Sequence, residues 1–248
     1  MSADAYDRFM GRYSVPLSPL FADFARVRSG QRVIDVGCGP GALTAELVTR
    51  AGAESVTAVD PSESFVEAAR ARNPEVDIRL ASAEELPFAD RTFGAALAQL
   101  VVHFMSDPVA GLREMGRVTA ADGVVAACVW DHAGGTGPLS PFWDAVRSLD
   151  GAAPGESELP GSREGDLTRL FVEAGLGEVE ETSLAVNVEH ATFDEWWEPF
   201  THGVGPAGAY VAALDPERRS ALREQCREAL PDPPFVLVAR AWAARSRT

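Results

Sequence analysis

Lysine is absent from this chain. All 22 basic side chains are arginines, set against 37 acidic ones, and the formal net charge is −15. Such a surface repels a phosphate backbone, and no stretch concentrates arginine, so no nucleic-acid partner is expected and an anionic membrane surface is disfavoured. Cysteine is scarce: Cys38, Cys128 and Cys226 are far apart and form no C-x-x-C pair. Neither a disulfide framework nor a structural zinc site is expected, and a reducing compartment is. Long apolar runs are missing too. The longest, Phe93 to Met105, is too short to span a bilayer. Met1 to Arg12 carries Asp4, Asp7, Arg8 and Arg12 and no apolar core, so no signal peptide is read there. These absences together predict a cytoplasmic protein. No acidic cluster calls for a metal ion.

What is present is an alternation of strands and helices. Arg32 to Val36 is β-branched and apolar apart from Arg32 and Asp35, and ends in glycines. A helical pattern follows over Ala42 to Arg50, a strand over Ser55 to Val59 and a helix over Glu63 to Arg72, with Asn73-Pro74 as its stop. Asp77 to Ala81, Gly94 to Leu100 and Gly123 to Trp130 read as strands, with a helix over Pro108 to Val118. Strands and helices at this spacing predict βαβ units, hence an α/β fold with a doubly wound, mostly parallel sheet. Ligands of such sheets sit at the carboxyl ends of the strands, near the switch point. The strand ends at Gly37, Asp60 and Gln99 are therefore the places to look for chemistry.

After Trp130 the texture changes. Residues 132–165 are rich in Gly, Pro and Ser, with a short helical stretch around Phe142 to Leu149. A helix over Gly165 to Ala174, a strand over Val179 to Val188, a helical aromatic stretch over Thr192 to Leu230 and a last strand over Phe235 to Ala243 complete the reading. Residues 132–165 and 192–231 are read as excursions from the sheet that form a lid.

The informative stretch is Asp35-Val36-Gly37-Cys38-Gly39-Pro40-Gly41. Alternating glycines after a strand allow positive φ and close approach of a ligand to the backbone. The helix that follows offers free N–H groups to an anion. Gly37, Gly39 and Ala42 also satisfy the dinucleotide pattern G-x-G-x-x-[GA], which is weak alone. Asp35 inside the strand, Gly41 and Pro40 within the turn argue against that reading. Asp60, 19 residues after Gly41, can accept both hydroxyls of a ribose, in an adenosine or a dinucleotide.

With these residues in place, Asp35-x-Gly37-x-Gly39-x-Gly41 resembles the first motif of class I S-adenosylmethionine-dependent methyltransferases. Ala58-Val59-Asp60-Pro61-Ser62 is similar to their second motif, and Ala81 to Phe88 resembles the segment around the adenine. Phe93 to Met105 and Leu112 to Val118 resemble the fourth-strand region and the helix before the fifth strand. The match spans residues 30–131 and looks closest to the ubiquinone- and menaquinone-methyltransferase branch, which includes enzymes of secondary metabolism. The resemblance implies a Rossmann-like, seven-stranded sheet with helical lid insertions, and S-adenosylmethionine as methyl donor with S-adenosylhomocysteine as product. It implies that Gly37, Cys38, Gly39 and Gly41 line the methionine part, with Gln99 beside it, and that Asp35 steers the ammonium. Asp60 would hold the ribose, Pro61 would pack on the adenine, and Ser82, Ala83 and Glu84 would meet its edge. Tyr6 and Tyr13 would close over the cofactor. The implied organisation is a cap and cofactor core over 1–131, a variable insertion over 132–165, a core helix and strand over 166–191, a substrate lid over 192–231 and a final strand over 232–248.

The acceptor side is less legible. His103 and His132 follow strands four and five, so both are expected in the cleft as candidate bases for a hydroxyl or amine. Trp143, Trp196, Trp197 and His202 are read as a wall of the substrate pocket, and His190 as a surface residue. Methyl transfer from a sulfonium needs mainly alignment and exclusion of water. The expectation is a small-molecule methyltransferase, monomeric or homodimeric, with O-, N- or C-methylation open. The alternatives are an NAD(P)-dependent oxidoreductase, for which no Tyr-x-x-x-Lys is found, and a non-catalytic methyltransferase-like binding protein.

Overall fold

The structure, a computed structural model, describes residues 6–153, 155–203 and 205–248. Residues 1–5 of the segment read for a signal peptide, and residues 154 and 204 of the two excursions, lie outside them. Seven strands form one sheet: β1 (Val33–Val36), β2 (Val56–Asp60), β3 (Asp77–Leu80), β4 (Phe93–Gln99), β5 (Thr119–Trp130), β6 (Glu180–His190) and β7 (Phe235–Arg247). Their order is β3-β2-β1-β4-β5-β7-β6. The pairings from β3 to β5 are parallel, and β7 runs antiparallel to both β5 and β6. The chain therefore winds outward from β1 to β3 and restarts at β4. The switch point falls between β1 and β4, at the ends the sequence points to.

The alternation of side chains divides the core in two. One face carries Val33, Ala58, Leu97 and Cys128 against α1 (Arg12–Phe24), α2 (Ala42–Ala51) and α3 (Glu63–Arg72). The other carries Ile34, Val59, Ala96 and Val129 against α4 (Pro108–Val118) and α6 (Asp166–Glu173). Alanine is a poor strand former, yet Ala95, Ala96 and Ala98 lie fully buried in β4. Burial on both faces overrides local preference there. Each fully buried Phe21, Phe171 or Trp130 stabilises the fold by roughly 2–3 kcal/mol.

Capping explains the helix starts. Asp107 accepts the Ala110 N–H with Pro108 in the first turn of α4, and Asp215 does the same for Arg218 ahead of α9 (Pro216–Ala229). The stretch expected to be helical over Thr192 to Leu230 consists of several short helices. Thr192 caps α7 (Phe193–Trp197), a 3₁₀ turn covers Glu198–His202, and α8 spans Gly205–Ala213. Pro199, Gly203 at φ 70° and the Asp215-Pro216 step account for the breaks. α5 (Ser140–Leu149), α7, α8 and α9 share a third apolar cluster with Phe9 and Phe235. Its centre is a stacked pair, Phe142 on Phe200, with ring centroids 4.5 Å apart.

Candidate active site

A cavity of about 430 Å³ opens over the carboxyl ends of β1, β2 and β4. Asp35, Gly37, Cys38, Gly39, Asp60, Pro61, Ser82, Ala83, Glu84 and Gln99 all line it, as does Tyr6. Eleven of the thirteen cofactor residues expected from the sequence are thus brought together. Gly41 and Tyr13 are not on the wall.

The loop after β1 is held from below. The N–H groups of Gly37 and Cys38 donate to the Val59 carbonyl at 2.8 and 2.9 Å. Gly37 has φ 72°, and a Cβ there would lie 2.5 Å from Cγ1 of Val101. Gly39 has φ 53° and open space where a Cβ would stand. The glycine at 37 is demanded by backbone and neighbour, and that at 39 by the turn. Gly41 caps α2 at φ 98°, its missing Cβ facing Asn73 Nδ2 at 2.9 Å. It shapes the turn and does not face the cavity.

Asp60 joins the two motifs. Its Oδ2 accepts the Gly39 N–H at 2.9 Å and its Oδ1 the Ser62 N–H at 2.8 Å. Burial pushes its carboxyl upward and these bonds pull it back, with a net rise. Each oxygen keeps a second lone pair for a ligand hydroxyl. Asp35 is 1% exposed. Thr44 donates to its Oδ2 at 2.6 Å, while Oδ1 is buried without a partner among the described residues. Burial, opposed by the Thr44 bond and assisted by the nearby Asp60 charge, lifts the Asp35 carboxyl to about 7.

Gln99 Nε2 donates to the Ser14 carbonyl at 3.1 Å and to Ser18 Oγ at 3.0 Å in α1, leaving Oε1 buried and unpaired among the described residues. Glu84 lines the cavity, but its Oε1 accepts the Ser106 and Asp107 N–H groups at 2.8 and 3.3 Å. Burial raises its carboxyl, and hydrogen bonds from the backbone and Ser82 outweigh that and hold it low. Tyr6 packs edge-on against Phe65, and burial with the Asp7 and Asp60 charges raises its hydroxyl to about 12.

Several expectations need correction. Tyr13 is buried in the core: its hydroxyl pairs with His190 Nε2 at 3.0 Å and its ring meets Trp130 edge-on. Its polar tip is engaged by a residue of β6 and is turned from the cavity. His190, expected at the surface, is 1% exposed. It also contacts Arg12 at 2.9 Å and stacks on Phe235. Burial, then the Arg12 charge, depresses its ring to about 4 against the pull of Glu195. Trp143, Trp196 and Trp197 do not line the cavity. They face one another's helices in the third cluster, because large indoles gain more by mutual burial than on an open wall. His202 is exposed, 3.6 Å from Glu198.

His103 and His132 do line the cavity, with ring centroids 5.8 Å apart. Nδ1 of His103 and Nε2 of His132 are buried and unpaired among the described residues. Burial, with His132 nearby, depresses His103 to about 3; burial, opposed by Asp131, depresses His132 to about 4. Both rings are neutral around pH 7.

Glu156 also lines the cavity, 5% exposed, with Trp143 Nε1 donating to its Oε2 at 2.6 Å. The sequence gives no signal for it, since it lies in an aperiodic Gly- and Ser-containing loop. Ser14 was hidden similarly, in a first helix masked by Pro16 and Pro19, and Phe9 lies in the π-helical turn Asp7–Gly11 just before it. Among the described residues no group of three His, Cys, Asp or Glu side chains could hold a metal ion. No helix is long and apolar enough to cross a membrane among those residues.

Residues 34–127 match the family described as the methyltransferase domain. An uncharacterized methyltransferase of Mycobacterium bovis is 35% identical over 127 residues, which is 51% of this chain and 49% of that protein. Demethylmenaquinone methyltransferase of Paenarthrobacter aurescens is 31% identical over 124 residues, covering 50% of this chain and 46% of that one. The chain spans about half the length of the curated relatives it matches. A putative methyltransferase from an antibiotic biosynthesis pathway of Anabaena variabilis shares the fold: TM-score 0.60 at 15% identity, over 92% of this chain and 96% of that one. Over residues 34–127, which carry the glycine loop after β1 and the end of β2, the chain is similar to methyltransferase domains.

Proposed function

We propose that the protein transfers a methyl group from S-adenosylmethionine to a small-molecule acceptor. The carrying observation is the join at Asp60: one carboxylate ties the glycine loop after β1 to the end of β2 and keeps lone pairs toward the cavity. The residues present fit the cofactor. The unpaired Asp35 Oδ1 supports recognition of the ammonium, directly or through water, and the open space over Gly39 suits the methionine part. Asp60 would take the ribose hydroxyls, and Pro61, Ser82 and Ala83 the adenine. The carboxylate of Glu84 is committed to the start of α4, so its part at the adenine is to fix that loop.

When bound, the sulfonium supplies an activated methyl group and a neutral leaving group. The chain then has to align and to exclude water. The third apolar cluster, with α5, α7, α8 and α9, supports a lid over residues 132–165 and 192–231. His103 and His132, neutral and lining the cavity, are placed to accept a hydrogen bond from an acceptor hydroxyl or amine through their unpaired ring nitrogens. The acidic surface and the cysteine pattern favour a cytoplasmic enzyme without a nucleic-acid partner, as monomer or homodimer.

Isothermal titration with S-adenosylmethionine, S-adenosylhomocysteine and NAD⁺ tests the reading. Binding of the two sulfur nucleosides and not of NAD⁺ is expected. Binding of NAD⁺ alone would move the site to oxidoreductase chemistry, and binding of none would leave a non-catalytic domain.

A further inference from the structure

The cavity is lined by four carboxylates, Asp35, Asp60, Glu84 and Glu156, and by no arginine among the described residues. The chain contains no lysine at all. Three of the acids cluster at the strand ends already assigned to the cofactor. Glu156 comes from the separate segment after α5, and neither cofactor motif accounts for it. Its Oε2 is fixed by Trp143 Nε1, and no described residue donates to its Oε1. A buried carboxylate without a cationic partner is costly: burial, opposed by the Trp143 bond, raises the Glu156 carboxyl, and a cationic ligand would bring it back to the charged form. His103 and His132 line the same cavity, each with a buried ring nitrogen lacking a partner among the described residues. The lining also includes apolar side chains, Phe9, Leu139 and Pro206 among them.

We infer that Glu156 is a specificity-determining residue that binds the amine end of a largely apolar acceptor, and that the pocket rejects acceptors bearing a carboxylate or phosphate. This rests on the methyltransferase reading and narrows its substrate class. An anionic acceptor would face Glu156 with no guanidinium or ammonium to take its charge, and no metal cluster among the described residues to bridge it. An ammonium instead compensates the Glu156 charge and leaves the Trp143 bond in place. The apolar body then lies against Phe9 and Leu139, and the histidines face the group to be methylated.

The test uses three fragments of one shape, benzylamine, benzyl alcohol and benzoate. Each is titrated by ligand-observed NMR against the full chain saturated with S-adenosylhomocysteine, in wild type and Glu156→Gln. Benzylamine is expected to bind at least tenfold more tightly than benzoate. Glu156→Gln should erase that preference while the benzyl alcohol and S-adenosylhomocysteine affinities stay within twofold. Benzoate binding as tightly as benzylamine, a preference that survives in Glu156→Gln, or no fragment binding would each overturn the inference. Failure of S-adenosylhomocysteine to bind the folded wild type would instead remove the methyltransferase reading beneath it.

Discussion

The Gly39 N–H donates to Asp60 Oδ2 at 2.9 Å, so the turn after β1 takes its shape from the side chain that ends β2. The same carboxylate fixes Ser62 through Oδ1. A hydrogen bond to a charged group contributes roughly 1.5–3 kcal/mol. Asp60→Ala should therefore loosen the loop and remove the ribose acceptor together. We expect S-adenosylhomocysteine affinity to fall at least tenfold by isothermal titration. Asp60→Asn should fall nearly as far, because an amide turns one N–H₂ group against a backbone N–H. Near-wild-type binding by either variant would show that Asp60 is structural only.

Gly37 and Val101 occupy one another's space. A Cβ at 37 would come within 2.5–2.6 Å of both Val101 methyls, and φ there is 72°. Gly37→Ala should lower stability by roughly 2–4 kcal/mol from the clash and the left-handed backbone together. Adding Val101→Ala should restore the steric part and leave the backbone part, about 1 kcal/mol. Denaturant melts of the four proteins of this cycle measure the coupling, and strict additivity would mean that the two sites do not meet.

Tyr13 and His190 form a buried pair 3.0 Å apart, flanked by Arg12, which also reaches Glu195 at 2.8 Å. This ties α1 to β6 and to α7 without touching the cavity wall. Tyr13→Phe strands His190 Nε2 in the core, which costs about 1–3 kcal/mol. At this chain length that is a drop of roughly 2–12 °C in Tm. S-adenosylhomocysteine affinity should stay within threefold. A large loss of affinity with unchanged Tm would return Tyr13 to the cofactor site.

The nucleoside half was legible because its chemistry is local. Glycines are required at 37 and 41 by turn geometry, and an acid must end β2 to meet the loop, so residue type and spacing reveal both. The acceptor half depends on which way side chains turn, and that is decided by long-range packing. Trp143, Trp196 and Trp197 carry the same composition whether they face a ligand or one another. Only the stacked Phe142–Phe200 centre settles that they face inward. Glu156 was invisible for the complementary reason: a lone acid in an aperiodic loop looks like a solvated one. His190 ends a strand beside Glu189, and only the return of α1 over β6 buries it.

Asp35 gives the pH dependence its sign. Burial lifts its carboxyl to about 7 in the folded protein, from an ordinary value of 3.8. A raised carboxyl favours the neutral form in the fold, so its stabilising share is complete below the ordinary value and is lost as pH rises through 7. Free of ligand at pH 8, Asp35→Asn should melt higher than wild type, and at pH 5 that advantage should shrink toward zero. A cationic ligand reverses the preference: an ammonium beside Asp35 requires the carboxylate. Cofactor affinity should therefore rise from pH 6 to pH 8 with release of a proton, read by titrations in buffers of different ionisation enthalpy. His103 and His132, held near 3 and 4 by burial, do not change charge in that window, so they do not supply this limb. Thr44→Val removes the 2.6 Å bond that favours the charged form and should move the limb to higher pH. A limb that stays in place in Thr44→Val, or that persists in Asp35→Asn, would assign the proton to another group.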